Sequence, residues 1–193
     1  MKFMLFVLLL LIGGSSLAPE IVEDSPELEG KKILVEEYKV NYWECPDCTL
    51  EEQYILEQLQ EKTKITDKNA LATILGNIKQ ESKFIANICE GGARVSYDRC
   101  LRGGYGIVQW TSENRYLGLG YFAEKYGCSP SEFKCQTRYM INEPIFQKYL
   151  PMFEGNGQTV RQYMVPAYYW LGWGIKGSRE IYAYDYAKKL TLS

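Results

Sequence analysis

The chain has 193 residues and a net charge of −2, from 22 Lys and Arg against 24 Asp and Glu interspersed along it, so it carries neither the basic footprint of a nucleic-acid binder nor a cationic wall-binding tail. Histidine is absent, which excludes Ser-His-Asp and Cys-His nucleophilic sites and the common hydrolytic zinc sites that need imidazole. Carboxylate chemistry survives, and the six cysteines read first as disulfides of an exported protein.

The amino terminus carries Lys2, an apolar run from Phe3 to Ile12, and then Gly13-Gly14-Ser15-Ser16-Leu17-Ala18. A run this short, with Ser16 and Ala18 where a signal peptidase reads, predicts a secretory signal over residues 1–18 and a mature chain beginning near Pro19. An uncleaved anchor is the competing reading. No later segment is apolar enough to span a bilayer, so the expectation is a secreted protein without stable membrane insertion after cleavage.

Residues 19–48 read as an acidic N-terminal segment interrupted by Pro19, Pro26 and Gly30, with Ile33-Leu34-Val35 as a short strand or anchor. It ends in Cys45-Pro46-Asp47-Cys48, a spacing shared with thiol oxidoreductases. Those enzymes place the motif in a βαβ unit, whereas a capping box follows here, so a structural bridge is the simpler reading.

From residue 49 the pattern is helical and is read as one domain over 49–193. Thr49-Leu50-Glu51-Glu52 is a capping box opening a helix that carries Leu50, Tyr54, Ile55 and Leu59. Thr66 or Asp67 caps the next helix, where positions 71, 74, 75, 78, 82 and 85 follow helical spacing. Glu81 follows Ile78 by one turn and therefore projects from beside the buried face. Burial and the negative helix end both disfavour its charged form, which is what a general acid working near neutral pH requires. The bland alternative is a solvated Glu on the flank of a core helix.

A cysteine-flanked loop follows. Spacing favours local pairs, Cys45 with Cys48, Cys89 with Cys100 and Cys128 with Cys135, although sequence alone does not choose among connectivities. The Cys89–Cys100 pair would staple the loop between the Glu81 helix and Gly103-Gly104-Tyr105-Gly106-Ile107-Val108-Gln109-Trp110. Such a closure contributes roughly 2–3 kcal/mol in the chain-entropy model. A short hairpin is expected between Val95 and Gln109. Gly104 and Gly106 let backbone approach a ligand closely, and Gln109 can hydrogen-bond one or instead satisfy its own loop.

Ser112 to Tyr126 reads as a helix ended by Gly127, and Ser129-Pro130-Ser131-Glu132 as a capping box opening another, limited by Pro144. Thr159–Leu171 and Ser178–Leu190 complete the set, the last with Ala183, Tyr186, Ala187 and Leu190 at core spacing. The tyrosines of these segments read mainly as core, with Tyr168 and Tyr169 kept as candidates for stacking on sugar rings.

The segment Gly76-Asn77-Ile78-Lys79-Gln80-Glu81-Ser82-Lys83-Phe84 followed by Gly103 to Trp110 resembles the phage-tail lysozyme family, within the wider group of lysozyme-like and lytic-transglycosylase domains. There a Glu-Ser pair closes the first core helix and a Gly-x-Gly-hydrophobic-x-Gln strip forms the opposite cleft wall. The resemblance runs from about Asp67 to Leu190, through Arg115, Gln136, Tyr139, Glu143, Tyr163, Pro166, Ala167, Arg179, Tyr182 and Ala183. It implies a mainly α, α+β lysozyme-like fold with a small β-hairpin beside the active-site cleft, and a catalytic domain over 49–193.

The resemblance also implies a monomeric muralytic glycosidase that uses no cofactor or metal and cleaves the β-1,4 bond between N-acetylmuramic acid and N-acetylglucosamine in peptidoglycan. Glu81 would be the acid, Ser82 would orient the site, and Tyr105 and Gln109 would hold glycan, with Trp110 in the core. Asp98 is the preferred second carboxylate over Glu90, Glu113 and Glu143, although related transglycosylases work with one glutamate. The competing class is a non-catalytic exported glycan-binding or structural protein on this fold, and chitin is a further substrate. A leader and local disulfides are not what a virion part assembled in cytosol requires.

Overall fold

A computed structural model describes residues 42–193. The predicted leader and the acidic segment as far as residue 41 lie outside the described residues. In chain order the elements are β1 (Trp43–Glu44), α1 (Leu50–Lys62), α2 (Lys68–Ser82), a 3-10 turn (Tyr97–Arg99), α3 (Glu113–Tyr126), α4 (Phe133–Asn142), α5 (Pro144–Phe153), α6 (Val160–Leu171), α7 (Arg179–Lys189) and β2 (Thr191–Leu192). The class is mainly α with one small antiparallel sheet, as the sequence implies.

Local chemistry fixes the first helices. Thr49 accepts from the Glu52 amide while the Glu52 carboxylate accepts from the Thr49 amide, closing the capping box at α1. Asp67 caps α2 by accepting from the amides of Asn69 and Ala70 at 2.7 and 3.3 Å. Its other carboxylate oxygen accepts from Gly157 at 2.7 Å, tying the start of α2 to the loop before α6.

The sequence predicts an amphipathic α2, but every residue from Ala70 to Ile78 is buried. A helix enclosed on all sides is the centre of a domain, not its face. α1, α6 and α7 pack around it. Against α7 the approach is so close that a Cβ on Gly76 would stand 2.4 Å from the Ala183 amide nitrogen. Pairing of Gly76 with Ala183 and of Glu81 with Arg179 shows that α7 runs antiparallel to α2. The rest of the core is strongly aromatic, with Trp110, Trp170, Tyr105, Tyr163, Tyr186, Phe146 and Phe153 fully buried.

Three expectations are corrected. Ser129–Glu132 forms a turn, and α4 starts at Phe133, because the Glu132 amide is spent on the Ser129 carbonyl at 3.0 Å. Pro144 both stops α4 and opens α5 as its first residue, a helix the sequence reading missed. No named strand forms between Val95 and Gln109. The region carries single bridges, Cys89 with Tyr105 and Tyr105 with Trp110, because left-handed glycines at 103 and 106 interrupt extended backbone. The one sheet among the described residues instead pairs Trp43 with Leu192 and Glu44 with Thr191, joining the two ends of the described chain.

The cysteines pair as Cys45–Cys48, Cys89–Cys100 and Cys128–Cys135. The last ties the end of α3 to the first turn of α4. Among the described residues no helix is long and apolar enough to cross a membrane.

Candidate active site

The last turn of α2 is held by backbone that few residues adopt. Lys83 and Phe84 both take left-handed conformations, with φ of 53° and 64°, each costing of the order of 1 kcal/mol or more. The Ser82 hydroxyl stabilises this exit by donating to the Ile107 carbonyl at 2.7 Å and accepting from the Phe84 amide at 3.1 Å. Ser82 is buried. Its hydroxyl is spent as a brace between α2 and the glycine strip and is not free to touch substrate.

Glu81 projects from this turn with its side chain 14% exposed and pairs with the Arg179 guanidinium, itself 6% exposed. Arg179 is the first residue of α7, so the antiparallel packing brings the positive end of α7 beside the negative end of α2. The other terminal nitrogen of Arg179 donates to the carbonyls of Ile175 and Lys176 at 2.9 and 2.8 Å. Its plane lies over Trp173, 4.7 Å from the ring centroid. Gln80 anchors the same loop by accepting from the Ser178 amide at 2.9 Å. Burial pushes the Glu81 carboxyl above its ordinary range, against the opposing pull of Arg179 and Arg115.

Arg115 belongs to a second buried cluster. It grips Glu143 with two bonds of 3.0 and 2.7 Å, and the indoles of Trp110 and Trp170 donate to the same carboxylate at 3.0 and 2.7 Å. Glu143 is fully enclosed and its oxygens are saturated, which removes it as a second catalytic carboxylate.

The glycine strip forms a folded wall with Gln136 as its keystone. Gln136 accepts from Ile107 at 2.9 Å and donates to the carbonyls of Ala86 and Pro130 at 2.8 and 2.7 Å. A Cβ on Gly106 would stand 2.4 Å from the Gln136 side-chain oxygen, which is why glycine occupies this position. Tyr105, expected to hold glycan, is fully buried, with its hydroxyl between the Val95 carbonyl and Ser131 Oγ. Its role is corrected to packing. Gln109 is half-buried and spends its amide nitrogen on the Gly106 and Ile88 carbonyls at 3.0 and 3.4 Å, leaving its carbonyl oxygen as the group open to a ligand.

Asp98 lies on the 3-10 turn in full solvent, where a hydrogen bond from Ser96 holds its carboxyl below the usual range. No hydrogen bond or ion pair joins it to Glu81. Glu90 caps the strip by accepting from the Gly104 amide at 3.0 Å, and Glu113 is exposed in the first turn of α3. Tyr168 and Tyr169 are half-exposed, on α6.

Sequence reasoning missed the pairing of Arg179 with Glu81 and the four-residue cluster around Glu143. An Arg at a helix start, against its own dipole, was the available signal. Among the described residues no group of three acidic or cysteine side chains gathers to hold a metal ion. A groove of about 680 Å³ runs beside Trp43, Leu56 and Gln60, and Glu81 does not line it.

A family model described as phage tail lysozyme matches residues 51–164, the stretch from α1 into α6 that contains Glu81 and the glycine strip. No curated protein and no solved structure matches the chain.

Proposed function

The chain belongs to the phage tail lysozyme family, and from that premise we propose that it is a muralytic glycosidase with Glu81 as its single general acid. The bond cleaved is the β-1,4 link between N-acetylmuramic acid and N-acetylglucosamine of peptidoglycan, and the enzyme works outside the cytoplasm after export. The disulfides suit that compartment.

The observation that carries the reading is the burial of Glu81 beside Arg179. Burial favours the protonated acid at rest, and a glycan seated on the open edge of Glu81 strips its remaining water and favours the proton further. Glu81 then gives its proton to the leaving glycosidic oxygen. As the proton departs, negative charge grows on the carboxylate, and Arg179 stands where it stabilises that charge.

With Glu143 saturated, the attacking group is water or the C6 hydroxyl of the muramic sugar itself. Water yields a reducing end and the hydroxyl yields a 1,6-anhydro sugar. Gln109 holds the glycan through its carbonyl oxygen, while Ser82 and Tyr105 keep the walls in register. The protein acts as a monomer and uses no cofactor.

The same ion pair also favours a second reading. A pair this enclosed can serve as a fixed brace between α2 and α7 in a non-catalytic glycan-binding or structural protein. Release of dye-labelled fragments from purified peptidoglycan separates the two. Activity in the parent and its loss in folded Glu81→Gln supports the enzyme, whereas binding without release by either protein supports the alternative.

A further inference from the structure

Four aromatic rings, three of them beyond the residues that the family model covers, lead ring by ring to the Glu81–Arg179 pair. Tyr149 on α5 stacks against Tyr169 with centroids 5.6 Å apart, Tyr169 meets Tyr168 at 5.5 Å, and Tyr168 meets Trp173 at 5.3 Å. Trp173 carries the Arg179 guanidinium at 4.7 Å, and Arg179 binds Glu81. Tyr168 and Tyr169 are 47% and 54% exposed, so large parts of their rings remain bare. Tyr149 and Trp173 are partly buried and pack against the core, so they back the two barer rings.

We propose that Tyr168 and Tyr169, backed by Tyr149 and Trp173, form a stacking track for sugars of a peptidoglycan glycan strand, delivering it to Glu81. The proposal rests on the muralytic reading and extends it to the substrate outside the reacting bond. Pyranose rings present apolar C–H faces that pack on aromatic faces while their hydroxyl edges stay in water, which a half-exposed tyrosine surface matches. At the far end the Lys148 ammonium lies over Tyr149, 5.3 Å from its centroid. A peptidoglycan strand carries carboxylates on its lactyl-peptide stems to meet that cation, and chitin carries none.

The test uses the full chain with Glu81→Gln, so that glycan is bound without turnover, and calorimetric titration with a soluble peptidoglycan tetrasaccharide bearing stem peptides and, separately, with chitotetraose. Adding Tyr168→Ala and Tyr169→Ala should weaken peptidoglycan binding by about tenfold or more, while Tyr168→Phe with Tyr169→Phe, which keeps both rings, should bind as before. Circular dichroism confirms folding of each variant. Unchanged affinity in the alanine variant overturns the track. Equal affinity for chitotetraose overturns the commitment to peptidoglycan. If Glu81→Gln alone leaves fragment release intact while the alanine variant still loses binding, the acid assignment falls and the track stands.

Discussion

Arg179 opens α7 by reaching back to Glu81 in the last turn of α2, and both side chains are almost sealed from solvent. The pair sets two opposing demands on one carboxyl. Burial favours the proton and the guanidinium favours the charge, with burial prevailing.

Removing the cation should therefore raise the Glu81 carboxyl further. In Arg179→Met the alkaline limb of the kcat/KM profile should move to higher pH, because the acid keeps its proton longer, and in Arg179→Lys it should stay near the parent position. The stability effect has a fixed sign. A carboxyl raised in the folded state contributes fully below the ordinary Glu range, and that contribution is lost as pH rises through the folded value. Arg179→Met should accordingly lose more Tm relative to the parent at neutral than at acidic pH. An alkaline limb that stays put or moves down would contradict the assignment.

Glu143 holds Arg115 and two indoles at once. Glu143→Ala leaves a guanidinium and two buried N–H groups without partners, and should cost about 3–5 kcal/mol in urea unfolding. A loss below about 1 kcal/mol would show that this cluster is not a structural centre.

The Cys89–Cys100 bridge closes the loop between the Glu81 helix and the glycine strip. Cys89→Ser with Cys100→Ser should lower stability by roughly 2–3 kcal/mol, read as a fall in Tm. Muralytic activity should fall further than that of Cys128→Ser with Cys135→Ser, whose bridge ties α3 to α4. Equal losses of activity in both pairs would count against a role in holding the walls.

At Gly76 no side chain fits, since a Cβ would stand 2.4 Å from the Ala183 amide nitrogen and 2.7 Å from its Cα. Gly76→Ala should force α7 away from α2 and cost about 1–3 kcal/mol. It should also separate Arg179 from Glu81 and shift the alkaline limb as Arg179→Met does. A parent-like Tm would contradict the close approach.

The parts of this architecture written in local chemistry were legible in the sequence. Thr49 with Glu52, Asp67 and Gly127 mark helix ends that the fold adopts. The motif of Glu81 and the glycine strip pointed to the family. What sequence could not supply was tertiary: Tyr105 and Ser82 look like ligand groups in a one-dimensional pattern, yet the fold uses their polar atoms inside the wall. Arg179 lies almost 100 residues from Glu81, and only the antiparallel return of α7 brings them together. α5 was missed because Pro144 reads equally as the end of one helix and the start of another.

The most direct test of the account is mass spectrometry of the soluble products released from purified peptidoglycan by the oxidised protein and by Glu81→Gln. The account predicts muropeptides with reducing or 1,6-anhydro ends from the parent, and release lowered by about a hundredfold or more from the variant. Release by Glu81→Gln at the parent rate, or no product from either protein, would contradict it.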